Sequence, residues 1–485
     1  MQCRPGVSID MLPDDILLSI FDICTIAPEL PPSKKPIEAW QSLVHVCRRW
    51  RSVIFESPRR LNLRLVCTNK TPVRDRLEVW PPLPLVIEGN TIEGVDNIIS
   101  ALESRDRVDG IQVWGFNGLP SEKLLAAMEE PFPELRHLLL LSPNEMAPVL
   151  PDSFLGRSAP RLALLQLWGV PFPGLPKLLL STTHLVNLAL TKVPHSGYIS
   201  PEAMVTALST LTSLESLYLE FQSPRSHPDQ ANRHLSPTRS VLPVLRRFHF
   251  GGVYEYLDDL VAYINAPRLN ELSVTFFNDI VFHTPQFIQF IKRTPSLEAL
   301  ENARVVFADN TARVDFSSKK SDYRLLNTGI SCSESDWQVS SLEQVCTLCL
   351  PPLFTTEDLY IHEDPYSRPH WQDNIENTLW LELLLPFATV KNLYLSKEFA
   401  PRIVSALQEL VGSRTMEVLP ALQNIFLEEL QSSGPVQEGI GKFVDARQPS
   451  GHSITISLWE RVQDQAYQIP EPEPESEVDD RCPGF

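Results

Sequence analysis

Long apolar runs are missing from this 485-residue chain. The densest, Leu138 to Leu141, is four residues long, whereas a helix crossing a bilayer needs about 20, so no membrane partner is expected. Cysteine is sparse. The eight present are Cys3, Cys24, Cys47, Cys67, Cys332, Cys346, Cys349 and Cys482, too few and too scattered for the disulfide framework of a small secreted domain. Basic residues are outnumbered, 42 Lys and Arg against 60 Asp and Glu, for a net charge of −18. A broad phosphate-binding face needs the opposite balance, so nucleic acid is not expected as a partner. The amino terminus, Met1 to Gly6, has no apolar secretory core. The expectation is a soluble protein of the cytoplasm, the nucleus or both.

Catalytic patterns are missing too. The chain has no phosphate-cradling GxxxxGK[ST], no HExxH and no GxSxG elbow, so neither enzyme activity nor a cofactor is expected. Cys346-Thr-Leu-Cys349 has no second Cys or His pair at zinc spacing, and Val345 to Leu350 reads as a buried apolar strand. His362 and His370 flank Glu363 and Asp364, but the proline-broken loop between them offers no fixed metal geometry. An enzyme concealed in residues 300–380 would need ionisable groups clustered in a pocket. The one basic cluster, Arg48, Arg49, Arg51, Arg59, Arg60 and Arg64, reads as a solvated face or as ion pairs to an acidic partner.

What is present is globular. An apolar fraction of 43% with 21% charged residues is ordinary for a packed protein, and the length implies several domains or a repeat array. A helix starts at Leu12-Pro13-Asp14-Asp15: proline suits a first turn, and the two acids face the positive end of the helix dipole. Ile16/Ile20 and Leu17/Phe21 then form an apolar stripe at four-residue spacing. After the proline-rich Pro28 to Pro36, Trp40, Leu43, Val44, Cys47, Trp50 and Ile54 recur at helical steps, predicting a second helix over about 36–54. Two short helices leave an apolar face that wants a partner.

Leu12-Pro13 opening a helix with Ile16-Leu17 and Ile20-Phe21, followed by Val46-Cys47-Arg48-Arg49-Trp50, resembles the F-box, and Glu38 to Leu65 is similar to the large F-box families of mushroom-forming fungi. The connecting segment is some ten residues longer than in a compact F-box. The resemblance implies docking to a Skp-type adaptor and, through it, to a cullin-RING ubiquitin ligase. On the matching positions, Leu12, Pro13, Ile16, Leu17, Ile20 and Phe21 would line the adaptor contact, with Val46, Cys47 and Trp50 supplying its second half.

Further along, Leu135-Arg-His-Leu-Leu-Leu begins an LxxLxL pattern that returns at Leu162, Leu185 and Leu214 and, with substitutions, at Leu245, Leu269 and Leu297. The six intervals from Leu135 to Leu297 average 27 residues, inside the leucine-rich-repeat range of roughly 20–29. Each repeat supplies a short strand whose alternate apolar residues point inward, and stacking buries what no repeat can bury alone. The pattern weakens over residues 310–341, where Val314-Asp-Phe316 and Tyr323 to Leu326 read as irregular strands, and resumes at Val390 to Leu395 and Leu422 to Leu427. Ser453 to Trp459 alternates like a closing strand. From Pro470 to Phe485, six acids and one base in a Pro/Glu context predict a disordered tail.

The expected fold is therefore an α/β repeat: an all-helical F-box (residues 1–60), a bridging region (61–130), leucine-rich repeats (131–305), degenerate repeats with a cap (306–460) and an acidic tail (461–485). On the concave side, Gln166, Asn187, Tyr218, His249, Glu271 and Tyr394 are the candidates for holding a protein substrate. The expected function is that of a substrate receptor in a ubiquitin ligase; the alternative is a repeat scaffold acting outside any ligase.

Overall fold

A computed structural model of the chain describes residues 12–25, 46–56, 63–80, 82–143, 147–223, 239–277, 283–297, 300–318, 321–350, 356–367, 375–410, 412–429, 434–448 and 453–460. The amino-terminal pair consists of α1 (Asp14–Thr25) and α2 (Arg48–Glu56). The Leu17 N–H donates to the Pro13 carbonyl (3.0 Å), so the first turn opens at the proline. Arg49 joins the helices: its Nη2 lies 2.6 Å from Asp14 Oδ1 and donates to the Leu12 carbonyl. Between them the Phe21 and Trp50 rings meet at 4.9 Å. The first half of the expected second helix, with Trp40, Leu43 and Val44, falls outside the described residues, as do the proline loop and the acidic tail.

The rest is dominated by one sheet. Its first half comprises β1 (Leu63–Cys67), β2 (Leu85–Asn90), β3 (Val108–Trp114), β4 (His137–Leu141), β5 (Leu164–Trp168), β6 (Asn187–Val193) and β7 (Ser216–Phe221). Beside it, β8 (Ser240–Val241) and β10 (Ile264–Asn265) form a small separate pair, while β9 (Arg247–Gly252) and β11 (Glu271–Phe277) continue the main sheet. It is completed by β12 (Asn302–Phe307), β13 (Thr311–Ser318), β14 (Ser321–Ser331), β15 (Asp358–Glu363), β16 (Asn392–Leu395), β17 (Asn424–Leu427) and β18 (Thr455–Leu458). The 16 strands run in the order β1-β2-β3-β4-β5-β6-β7-β9-β11-β14-β13-β12-β15-β16-β17-β18. Apart from the pairings of β13, every ladder is parallel, the arrangement of a leucine-rich-repeat-type α/β solenoid, and the sheet crosses residue 130 without a break.

The LxxLxL spacing accounts for this directly. Leu138 and Leu140, Leu165 and Leu167, Leu188 and Leu190, and Leu217 and Leu219 lie side by side in register and are buried on one side of the sheet. That side carries the helices, so the inward side chains form one continuous apolar core from Leu17 to Ile454. Tight turns join the layers. After β5, Gly169 takes φ +64°, and a Cβ there would stand 2.5 Å from the Ser142 carbonyl oxygen; a left-handed residue in contact with backbone has to be glycine.

Two sequence expectations are corrected. Residues 302–331 are not a worn-down repeat but a three-strand antiparallel excursion. The β13 strand pairs with β12 on one side and β14 on the other, while β14 and β12 run parallel to β11 and β15, so regular stacking resumes at β15. Filling the space beside it, Phe307, Trp380 and Phe399 pack ring on ring at 5.1 to 5.8 Å. Second, Val345–Cys349 is a π-helical turn, not a strand. It continues the helix Ser335–Gln344, whose apolar positions carry the same face onward. Cys346 and Cys349 are buried there as expected.

Candidate functional site

The sheet face turned away from the helices is where polar and aromatic side chains gather, because every second strand residue points outward. The inter-strand register sorts the six candidates onto two adjacent rows. Gln166 is followed across the strands by Ala189, Tyr218, His249 and Ser273. One position earlier on the same face, Asn187 leads through Ser216 and Arg247 to Glu271. Tyr394 lies on the first row but five strands beyond Ser273, on the far side of the antiparallel excursion. The candidates therefore form two separate patches.

In the first patch, the Tyr218 and His249 rings stack at 3.8 Å and 9°. Burial keeps the imidazole neutral, lowering its pKa from 6.5 to about 4. Burial, with the Glu220 charge beside it, pushes the Tyr218 hydroxyl up to about 12. A bulge between Leu190 and Val193 places Lys192 at φ 50°, and its Nζ lies 5.0 Å over the Trp168 ring. Such a bulge re-aims a side chain that would otherwise continue the alternation. Glu220 is raised by burial, partly offset by the Lys192 charge. The patch thus combines a flat neutral stack with the Glu220 carboxyl and the Lys192 ammonium, and Arg247 and Glu271 stand on the adjacent row.

The second patch is larger, and the sequence reading found only Tyr394 in it. Along the row from the excursion onward stand Asp315, Arg304, Tyr360, Tyr394, Phe426 and Ser457. Tyr360 and Tyr394 stack at 4.2 Å, Tyr394 and Phe426 at 4.4 Å, and Trp459 tilts against both tyrosines at 5.8 and 5.7 Å. The Arg304 guanidinium lies 5.7 Å over the Tyr360 ring. Beneath the rings runs a polar ladder, Asn392 Nδ2 donating to Asp358 Oδ1 (2.5 Å) and Asn424 Nδ2 to Asn392 Oδ1 (2.7 Å), with the Thr455 hydroxyl bonded to Asn424 Oδ1. Beside it, Asp315 accepts from Asn327 Nδ2 (2.7 Å) and Arg313 bridges to Asp364 (3.1 Å). Burial would raise the Asp364 carboxyl, but the Tyr366 N–H and Arg313 outweigh it and hold it below its ordinary range. Tyr360 escaped notice because Asp358-Leu-Tyr-Ile-His lacks the LxxLxL frame. Phe426 was absorbed into the apolar pattern although it points outward.

The nine adaptor-contact candidates divide by exposure. Leu17, Phe21 and Trp50 are buried in the packing of the helix pair onto the body of the chain, so a stripe that reads as a docking surface is here largely core. Leu12, Ile20 and Cys47 are half-buried, Pro13 is exposed, and Ile16 and Val46 are 44% and 58% exposed. The arginine cluster is partly internal: besides the Arg49 bridge, Arg64 lies 2.9 Å from Glu88.

Among the described residues no three His, Cys, Asp or Glu side chains are grouped so as to hold a metal ion, and no helix is long and apolar enough to cross a membrane. The His362 Nδ1 sits 2.9 Å from the Glu363 carbonyl oxygen, while His370 lies outside the described residues. No family model matches the chain, and no curated protein matches it as a relative. Among solved structures, it is similar to the leucine-rich repeat-containing protein LegL7 from Legionella pneumophila, at 12% identity and a TM-score of 0.29, over 79% of this chain and 97% of that one.

Proposed function

We infer that this chain is a non-catalytic receptor that holds a protein on the open face of its solenoid. The observation that carries this reading is the aromatic ladder Tyr360, Tyr394 and Phe426 with Trp459 against it and Arg304 at its end. Tyrosine, tryptophan and arginine presented together on a rigid scaffold are the residues that dominate protein–protein contacts. At the finer level, the receptor delivers its target to a ubiquitin ligase: α1 and α2 dock a Skp-type adaptor bound to a cullin. What supports this is the resemblance of residues 12–50 to the F-box, together with two apolar side chains, Ile16 and Val46, left facing solvent on the helix pair. The receptor then contributes effective concentration and orientation, with bond-making left to its partners.

The test is titration of the full chain with a Skp-type adaptor by calorimetry. The wild-type chain is expected to bind, and Ile16→Asp with Val46→Asp to weaken binding at least tenfold without loss of helical signal, because neither side chain is core. No binding by the wild type, or equal binding by the double variant, rejects the ligase role and leaves a repeat scaffold acting on its own.

A further inference from the structure

Toward the amino-terminal strands the first patch continues as an apolar surface. A solvent-facing side of a sheet ordinarily carries polar residues at its outward positions. Here Trp114, Leu141 and Trp168 stand side by side in register, with Leu139 and Leu164 on the next two rows. All five are half-buried. A contiguous apolar patch left within reach of solvent marks an interaction site.

The charges around it are sorted by depth. Arg64 lies 2.9 Å from Glu88, and their side chains are 45% and 11% exposed. Lys192 is exposed beside the half-buried Glu220, and Arg247 is exposed on β9. So among the outward strand residues from β1 to β9 the exposed charges are cations, although the whole chain carries −18. At the margin, Arg136 stands over the buried Asp109 at 3.3 Å. Glu215, exposed just ahead of β7, and Glu271, exposed on β11, bound the region. Lys192 joins this face only through its bulge: regular alternation would turn it into the core, and φ 50° is a conformation that lysine adopts at a cost.

We propose that this surface takes an extended acidic and apolar segment of the held protein. Its large apolar side chains lie on Trp114, Leu141 and Trp168, and its carboxylates turn toward Arg64, Lys192 and Arg247. Seven inter-strand steps separate β1 from β9, about 34 Å, the reach of about ten extended residues. A nucleic acid fits less well, because so few cations, two of them already set beside carboxyl groups, release few counterions. The inference rests on the receptor reading and names the chemistry of what is held.

Selection of a random 12-residue peptide library on the full chain tests it. The enriched peptides are expected to combine Asp or Glu with Trp, Phe or Leu, and to bind about tenfold more weakly when NaCl is raised from about 50 to about 500 mM. Lys192→Gln with Arg247→Gln should weaken them by about tenfold or more with an unchanged circular dichroism spectrum, as should Leu139→Asp. Enrichment of basic or uncharged peptides overturns the proposal, as do acidic peptides held equally by the charge variant. Peptides lost with Tyr394→Ala but kept by the charge variant overturn it and leave the receptor reading standing, whereas no enriched peptide at all counts against both. Displacement of the peptides by an equal concentration of single-stranded DNA would assign the cations to phosphate and equally overturn it.

Discussion

At the scale of single residues, His249 makes a prediction that the fold dictates. Its pKa of about 4 in the folded chain lies below the ordinary 6.5, so between those values the unfolded chain binds a proton that the folded chain does not. Stability is fully present above pH 6.5 and declines as the pH falls toward 4, by at most about 3 kcal/mol from this group. Denaturant unfolding from pH 7 to 4 should show that slope reduced in His249→Phe, which keeps a ring on Tyr218. An identical slope in the variant would assign the loss to other groups. The sequence identified His249 and Tyr218 as outward residues, since both stand between inward apolar positions. Their stacking was not legible, because it depends on β7 and β9 being neighbours although β8 lies between them in the chain.

At the scale of elements, the polar ladder across β15, β16 and β17 explains why Asn recurs three positions before Leu395 and Leu427. Each amide can donate to one neighbour and accept from the next, an ability a carboxylate lacks. Asn392→Asp would set a second carboxylate against Asp358 and lose the 2.5 Å bond. It is expected to cost about 1–2 kcal/mol. Urea unfolding checks this, and a variant as stable as the wild type would speak against the ladder as a source of stability. The repeat strands were readable because leucine spacing repeats; the excursion β12–β14 was not, because antiparallel pairing imposes no such spacing. Its alternation in Val314-Asp-Phe316 announced a strand without announcing a partner. The π-helical turn at Val345–Cys349 was misread for a related reason: six mostly apolar residues fit a buried strand and a buried helix end equally well.

For the whole molecule, nearest-neighbour stacking means that damage should stay local. Leu65→Ala in β1 and Leu393→Ala in β16 each remove a fully buried side chain and are expected to cost about 2–5 kcal/mol. Native-state hydrogen exchange should lose protection within a strand or two of each site and retain it at the opposite end. Uniform loss along the chain would mean that the solenoid unfolds as one unit instead. The sequence by itself determined the class of the fold, an α/β repeat with a helical amino-terminal pair, because alternation and helical spacing are local properties that the chain carries wherever it goes. It also marked the outward positions of the regular strands. Only the tertiary structure decided which of those positions meet, that Leu17, Phe21 and Trp50 are spent as core, and that an aromatic ladder crosses the last repeats. Those outcomes depend on strand order and on which surfaces cover one another, and neither is written in the spacing of residues along the chain.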